Sequence, residues 1–330
     1  MKKALYWKIL KEKIVRCELC PKFCVLKDGE FGNCNARKNI SGKLFSVVYG
    51  KPCSIAIDPI EKKPLFHFLP GTSIFSIGTS GCNLHCEFCQ NWTISQQQLE
   101  NVATIDLLPK TVVERAIKAK CPSIGYTYNE PTIFYEYAYD CMKLARKQRL
   151  RNVIVSNGFI NKQPLLEWCK YLDAANIDLK GDEEFYKKIT FARLEPVLES
   201  LKILKEKRIW LEITNLLIPT LNDKETWLRK MCKWIVDNLD NETPVHFSRF
   251  FPNYKVAVKE TPIELLKKAE KIAKESGLKY VYVGNIREEE NTYCSKCGNL
   301  LIERSGFDVL QNNIRNGRCE CGEKVAGVWN

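Results

Sequence analysis

The stretch Gly81-Cys82-Asn83-Leu84-His85-Cys86-Glu87-Phe88-Cys89-Gln90 decides how this chain is read. Its three cysteines are spaced Cys-x3-Cys-x2-Cys and follow an apolar run, Ile74-Phe75-Ser76-Ile77, that has the character of a buried strand. Thiolates are the soft ligands that iron–sulfur clusters need, and a cubane [4Fe–4S] cluster normally takes four of them. A loop that supplies only three leaves one iron open to a ligand from outside the protein. The competing reading is a zinc knuckle completed by His85, but zinc favours Cys-x2-Cys pairs. His85 reads as a bystander on the loop.

Outward from this loop, strand, loop and helix alternate from residue 73. The strand candidates are Ser73–Ile77, Ser123–Thr127, Asn152–Ser156, Ala174–Leu179, Leu211–Leu217 and Val245–Phe247, with a possible seventh at Lys279–Val283. Between them, segments such as Lys110–Ala119, Thr132–Arg149, Lys224–Asn238 and Pro262–Lys274 carry apolar residues at three- and four-residue spacing. Such alternation implies parallel βαβ units. A closed eight-fold barrel takes about 250 residues, so six strands over residues 73–290 suit an α/β partial (β/α)6 barrel or an open curved sheet. Reacting groups in such folds gather where strands end, which singles out Glu130 after the second strand, Ser156 and Asn157 after the third, and Asp178 and Lys180 after the fourth.

Both ends of the chain are cysteine-rich extensions. Residues 1–45 hold Cys17, Cys20, Cys24 and Cys34, four thiols within 18 residues that suggest a metal site. Zinc is the default there, and a second iron–sulfur cluster is the alternative because x2 and x3 spacings also occur in ferredoxin-like runs. Residues 46–72 form a connector whose prolines argue against a helix or a central strand. Residues 291–330 carry Cys294 and Cys297, then after 21 residues Cys319 and Cys321, a zinc-ribbon pattern whose second knuckle is one residue short.

The 330 residues include 16 cysteines and no apolar run of membrane-spanning length. Ligand-like grouping in a chain of this size points to a reducing cytoplasm, and Cys53, Cys121, Cys141, Cys169 and Cys232 fall outside the groups as small core residues. The formal charge is +12; thiolate-ligated metals would lower it to roughly +7. A nucleic-acid partner is therefore possible but not favoured, and a solvated basic face on the leader suffices.

At the three-cysteine loop the sequence resembles the radical SAM superfamily. The resemblance implies a [4Fe–4S] cluster on Cys82, Cys86 and Cys89 that binds S-adenosylmethionine, with Phe88 near the adenine. Glu130 matches the acid of that superfamily's Gly-Gly-Glu segment, although Tyr128 and Asn129 replace the glycines. By similarity to the activases of glycyl radical enzymes, Ser156 and Asn157 would touch the ribose or methionine part, Asp178-Leu179-Lys180 would match an Asp-Leu-Lys motif, and Asn215 would back the adenosine. His246 reads equally as a proton relay, a substrate contact or a satisfied core histidine.

The runs Asp58–Pro64, Cys89-Gln90-Asn91-Trp92 and His246–Pro252, with both terminal cysteine groups, resemble the radical SAM member of the AmmeMemoRadiSam system, related to pyruvate formate-lyase activating enzymes. That resemblance implies AMMECR-type and Memo-type proteins as partners, together with an electron donor. The expected function is reductive cleavage of S-adenosylmethionine to a 5'-deoxyadenosyl radical acting on a small molecule or nucleoside. The alternatives are a glycyl radical activase acting on a partner protein, and a metal-stabilised nucleic-acid-binding protein without catalysis.

Overall fold

The repeat that starts at residue 73 builds one parallel sheet. The computed structural model describes residues 1–286 and 290–330. Strands β1 (Ser54–Pro59), β2 (Ser73–Gly78), β3 (Ser123–Tyr126), β4 (Arg151–Ser156), β5 (Ala174–Asp178), β6 (Trp210–Leu217), β7 (Val245–Arg249) and β8 (Val281–Gly284) lie side by side in sequence order. From β2 to β8 every neighbouring pair is parallel, whereas β1 runs antiparallel to β2. Helices α1 (Pro109–Lys118), α2 (Tyr135–Lys147), α3 (Lys162–Cys169), α4 (Glu195–Glu206), α5 (Glu225–Asn238) and α6 (Ile263–Glu275) form the crossovers. The fold is thus an α/β partial barrel, and the possible seventh strand at Lys279–Val283 is present as the parallel strand Val281–Gly284.

Local chemistry explains the elements. Strands β2 and β3 are almost wholly buried, as expected for a parallel sheet covered by helices. Helix α1 opens on Pro109, whose fixed φ suits the first turn, and buries Val112, Val113 and Ala116 on one face. The helix expected from Thr132 starts later, because Pro131–Phe134 forms a tighter 3-10 turn before α2.

Part of the connector is a sheet strand after all. Ser54–Pro59 pairs along β2, and its proline falls at the end of an edge strand, where no ladder bond is lost. Beyond it the connector tucks under the end where the strands begin. Glu212, the third residue of β6, accepts the backbone N–H groups of Phe66 and His67 at 3.0 and 2.8 Å. His67 bridges the Ala326 carbonyl at 2.7 Å and the Tyr282 hydroxyl at 2.5 Å. The buried Arg304 guanidinium donates to the Phe66 carbonyl at 2.8 Å. This network ties the C-terminal segment, with its antiparallel strands Thr292–Tyr293, Leu300–Ser305 and Asp308–Asn312, to the closed end of the barrel.

The leader packs at the other end. It forms two small antiparallel sheets and docks on α2 through a buried Arg37–Glu136 ion pair and through Asp140, which accepts from Tyr49 at 2.8 Å and pairs with Lys2. Of the five cysteines outside the groups, Cys121, Cys141 and Cys232 are buried as expected, and Cys53 and Cys169 are half-buried. Among the described residues no helix is long and apolar enough to cross a membrane.

Candidate active site

At the end where the strands finish, a pocket of about 210 Å³ is lined by Cys82, Cys86 and Cys89 together with Phe88, Asn157, Asp178 and Lys180. The cysteine loop is held in shape from several sides. Gly81 has φ +90°, and a Cβ there would lie 2.2 Å from the Cys34 carbonyl oxygen, so only glycine fits against the leader. The Asn129 side chain donates to the Gly81 carbonyl at 2.7 Å, and Asn83 donates to the Phe159 carbonyl at 2.7 Å. Asn157 donates to the Asn83 side chain at 3.0 Å, with its amide 3.8 Å from the Cys82 sulfur.

The donor set suits an iron–sulfur cluster with one free corner. His85 is turned away from the pocket: its ring nitrogens meet Gln96 at 2.5 Å and Asn33 at 3.0 Å. A zinc knuckle completed by His85 is therefore not formed. Burial pushes the Cys86 thiol up to about 12 and Cys82 well above the ordinary thiol range. In the metal-free protein these sulfurs are protonated at neutral pH, so cluster assembly must release protons.

Asp178 and Lys180 stand on one face of the β5 end, with Lys180 Nζ 2.8 Å from the Asp178 carboxylate. Burial works against the ammonium charge, but Asp178 and Cys86 outweigh it and raise the lysine's pKa. Lys180 also lies 5.7 Å from the centroid of the Phe88 ring, which packs on Phe185. The Asp178 side chain stays 33% exposed towards the pocket, against 13% for Lys180. It is thus the more accessible of the two charges.

Four expected site residues do not line this pocket. Glu130 is fully buried, and its carboxylate accepts from the Thr132 N–H at 2.9 Å, the Ser156 hydroxyl at 2.8 Å and the Asn157 N–H at 2.8 Å. It caps the 3-10 turn and braces the end of β4, and Ser156 is turned inward with it. Burial raises the Glu130 pKa even though these donors pull it down. Asn215 donates to the Leu179 and Lys180 carbonyls at 2.6 and 3.4 Å, while Thr214 and Leu216, on the opposite face of β6, line the pocket. His246 bonds Glu212 at 2.7 Å at the closed end. Ser248, on the same strand face about 6.6 Å further along, reaches the pocket instead.

Sequence reading missed Asn129, Thr214 and Ser248. The signal for the last two was present, since period two puts them on the faces of Glu212 and His246. What it cannot give is depth along the barrel. At the C-terminus the four sulfurs of Cys294, Cys297, Cys319 and Cys321 all lie within 4.8 Å of one another, with Cys294–Cys321 at 3.7 Å and Cys297–Cys319 at 3.6 Å. Tetrahedral zinc with Zn–S bonds of about 2.3 Å separates its sulfurs by about 3.8 Å, so the shortened knuckle still converges. The leader cysteines Cys17, Cys20, Cys24 and Cys34 line a separate pocket behind the triad loop.

Comparison with known proteins agrees with this geometry. The family described as the Radical SAM superfamily matches residues 76–230. An uncharacterized protein of Methanocaldococcus jannaschii is 49% identical over 98% of this chain and 99% of its own length. The pyruvate formate-lyase-activating enzyme of Clostridium pasteurianum is 24% identical over 49% of this chain and 68% of its own. Among solved structures, a radical SAM methyltransferase from Sphaerobacter thermophilus superposes with a TM-score of 0.53 at 14% identity, covering 71% of each chain, a likeness of fold alone.

Proposed function

Residues 76–230 match the Radical SAM superfamily, and from that premise we propose that the chain's enzyme chemistry is reductive cleavage of S-adenosylmethionine in the pocket behind Cys82, Cys86 and Cys89. That match implies a [4Fe–4S] cluster and S-adenosylmethionine, and supports an enzyme over a non-catalytic nucleic-acid-binding protein. One observation carries the residue-level reading: three thiols share a pocket with an accessible carboxylate, and the one nearby imidazole is engaged elsewhere.

When bound, the cluster supplies the electron that splits the sulfonium of S-adenosylmethionine into methionine and a 5'-deoxyadenosyl radical. The chain's own part is orientation and shelter. Cys82, Cys86 and Cys89 hold three corners. Asn157 steadies the Cys82 end of the loop, and Ser95 lies 3.1 Å from the Cys89 sulfur. Asp178 offers a charge-assisted acceptor to the cosubstrate's ammonium group, in place of the occupied Glu130, while Lys180 offers a cation to its carboxylate. Phe88, Leu84 and Leu216 give the pocket apolar walls that keep water from a reactive carbon. Thr214, Ser248, Gln90, Asn91 and Asn285 are among the polar groups left for a substrate.

The substrate we favour is a small molecule or nucleoside, because the polar groups converge within a recess. A glycyl radical on a partner protein is the second reading, supported by the similarity to a pyruvate formate-lyase-activating enzyme. Association with AMMECR-type and Memo-type proteins and an external electron donor belong to the same proposal. A reducing cytoplasm suits it, since all sixteen cysteines are free thiols. Anaerobic reconstitution followed by dithionite and S-adenosylmethionine tests the core claim. Wild type yields 5'-deoxyadenosine and Cys86→Ala yields none; wild-type turnover in that variant, or a full cluster that never cleaves the cosubstrate with candidate substrates present, sinks it.

A further inference from the structure

We propose that Cys17, Cys20, Cys24 and Cys34 ligate a second [4Fe–4S] cluster, and that it hands electrons to the cluster of the Cys82–Cys89 loop. The relay half rests on the reading above; the metal-site half does not.

Sulfur spacing separates the two ends of the chain. The C-terminal four are gathered to zinc dimensions with no metal needed to draw them in. Among the described residues the leader four are not gathered in this way. They line one enclosed pocket whose other walls include Leu19, Gly32 and Ile133. Thiols held wider apart than a single tetrahedral zinc draws its sulfurs suit a polynuclear centre. Two donors are already aimed at the sulfurs: Arg37 Nη1 lies 3.3 Å from Cys17 Sγ, and the Asn33 N–H lies 3.4 Å from Cys24 Sγ. Arg37 is 1% exposed. Its charge is paired with Glu136, which fixes the guanidinium in place, and hydrogen bonds to sulfur tune the potential of such a centre.

Position supplies the role. The Cys34 carbonyl touches Gly81, one residue before Cys82. Asn33, one residue before Cys34, bonds His85 of the triad loop at 3.0 Å. Asn83, the residue after Cys82, is itself a wall of the leader pocket. The two cysteine sets thus adjoin through Gly81, the Asn33–His85 bond and Asn83. An electron from a low-potential one-electron carrier enters at the leader and takes that centre from 2+ to 1+. Its passage restores 2+ there and makes the triad centre 1+, and the same electron then goes to the sulfonium, with none left over.

The test compares wild type, the Cys82→Ala/Cys86→Ala/Cys89→Ala variant and the Cys20→Ala/Cys24→Ala variant after anaerobic reconstitution, with iron, sulfide and zinc counted per chain. Wild type should bind about eight irons, and the triple variant should keep about four with a reduced-cluster EPR signal. A triple variant that is free of iron and carries a second zinc overturns the site. For the relay, the Cys20→Ala/Cys24→Ala variant should still form 5'-deoxyadenosine with dithionite but lose turnover driven by reduced ferredoxin. Equal behaviour with the two reductants overturns it. Should that variant not fold, freeze-quenched EPR of wild type mixed with reduced ferredoxin decides, because the leader signal must precede the triad signal. Failure of the superfamily chemistry looks different: no deoxyadenosine with either reductant, whatever iron the triple variant keeps.

Discussion

Acid should weaken this fold through His67, and the effect can be worked out from its surroundings. Burial is the largest influence and brings the imidazole down to about 4; Glu212 pulls the other way, and Arg304 and His246 push with burial. In the unfolded chain the same ring titrates near its ordinary value of about 6.5. Between these values the unfolded state takes up a proton that the folded state refuses, so the stability present above about pH 6.5 is lost as pH falls towards 4. At pH 5 the gap is 6.5 − 5 = 1.5 units, and at about 1.36 kcal/mol per unit the loss is about 2 kcal/mol. His67→Gln keeps one donor and one acceptor for the Ala326 carbonyl and the Tyr282 hydroxyl but does not titrate. Urea unfolding of wild type and variant, prepared with the same metal content, at pH 7.5 and pH 5 isolates the term, since other titrations cancel in the difference. Wild type should lose about 2 kcal/mol more than the variant over that interval, with the KM for S-adenosylmethionine unaffected by the substitution at pH 7.5. Identical pH dependence in the two proteins would refute the claim that a neutral imidazole pins the connector beneath the barrel.

Three further outcomes follow from the contacts. Gly81→Ala forces a Cβ into the Cys34 carbonyl and a strained φ on alanine, a cost of about 1–3 kcal/mol; both thermal stability and iron uptake by the triad should fall, and an unchanged iron count would show that the leader does not brace the loop. Glu130→Gln sets an amide donor against the Asn157 N–H or the Ser156 hydroxyl, which should cost about 1–3 kcal/mol of stability. If calorimetry shows no loss of stability while the KM for S-adenosylmethionine climbs steeply, Glu130 is a cosubstrate ligand and not a brace. Cys321→Ala should release the C-terminal metal and lower the melting temperature while leaving deoxyadenosine formation per folded enzyme intact, read by zinc release and single-turnover assays; loss of chemistry in fully folded protein would contradict its placement at the closed end.

What was legible in the sequence was local. The period of apolar residues and the Gly and Pro punctuation carry the strands, because each strand's burial is written in four to eight consecutive side chains. The cysteine groups are legible because ligand spacing along the chain limits which metals can be held. Glu130 was not, since its partners Ser156 and Asn157 sit 26 and 27 residues away on the next strand, and nothing near Glu130 announces three donors waiting for it. Ser54–Pro59 was hidden by its terminal proline, which is a defect in a central strand and harmless at an edge.

The same limit explains why the two terminal cysteine groups, so alike on paper, separate only in three dimensions. A spacing rule counts ligands; it says nothing about the distance at which packing holds their sulfur atoms. At the C-terminus two antiparallel knuckles bring four sulfurs to contact, away from the pocket and anchored by Arg304 and Trp329 to the connector. In the leader the four cysteines line a pocket instead, and do so against the triad loop, where the proposed chemistry would consume an electron. A purely structural metal has no reason to be pressed against Gly81 at the cost of forbidding any side chain there. An electron path does, because transfer weakens steeply with distance and a glycine is the closest approach two loops can make.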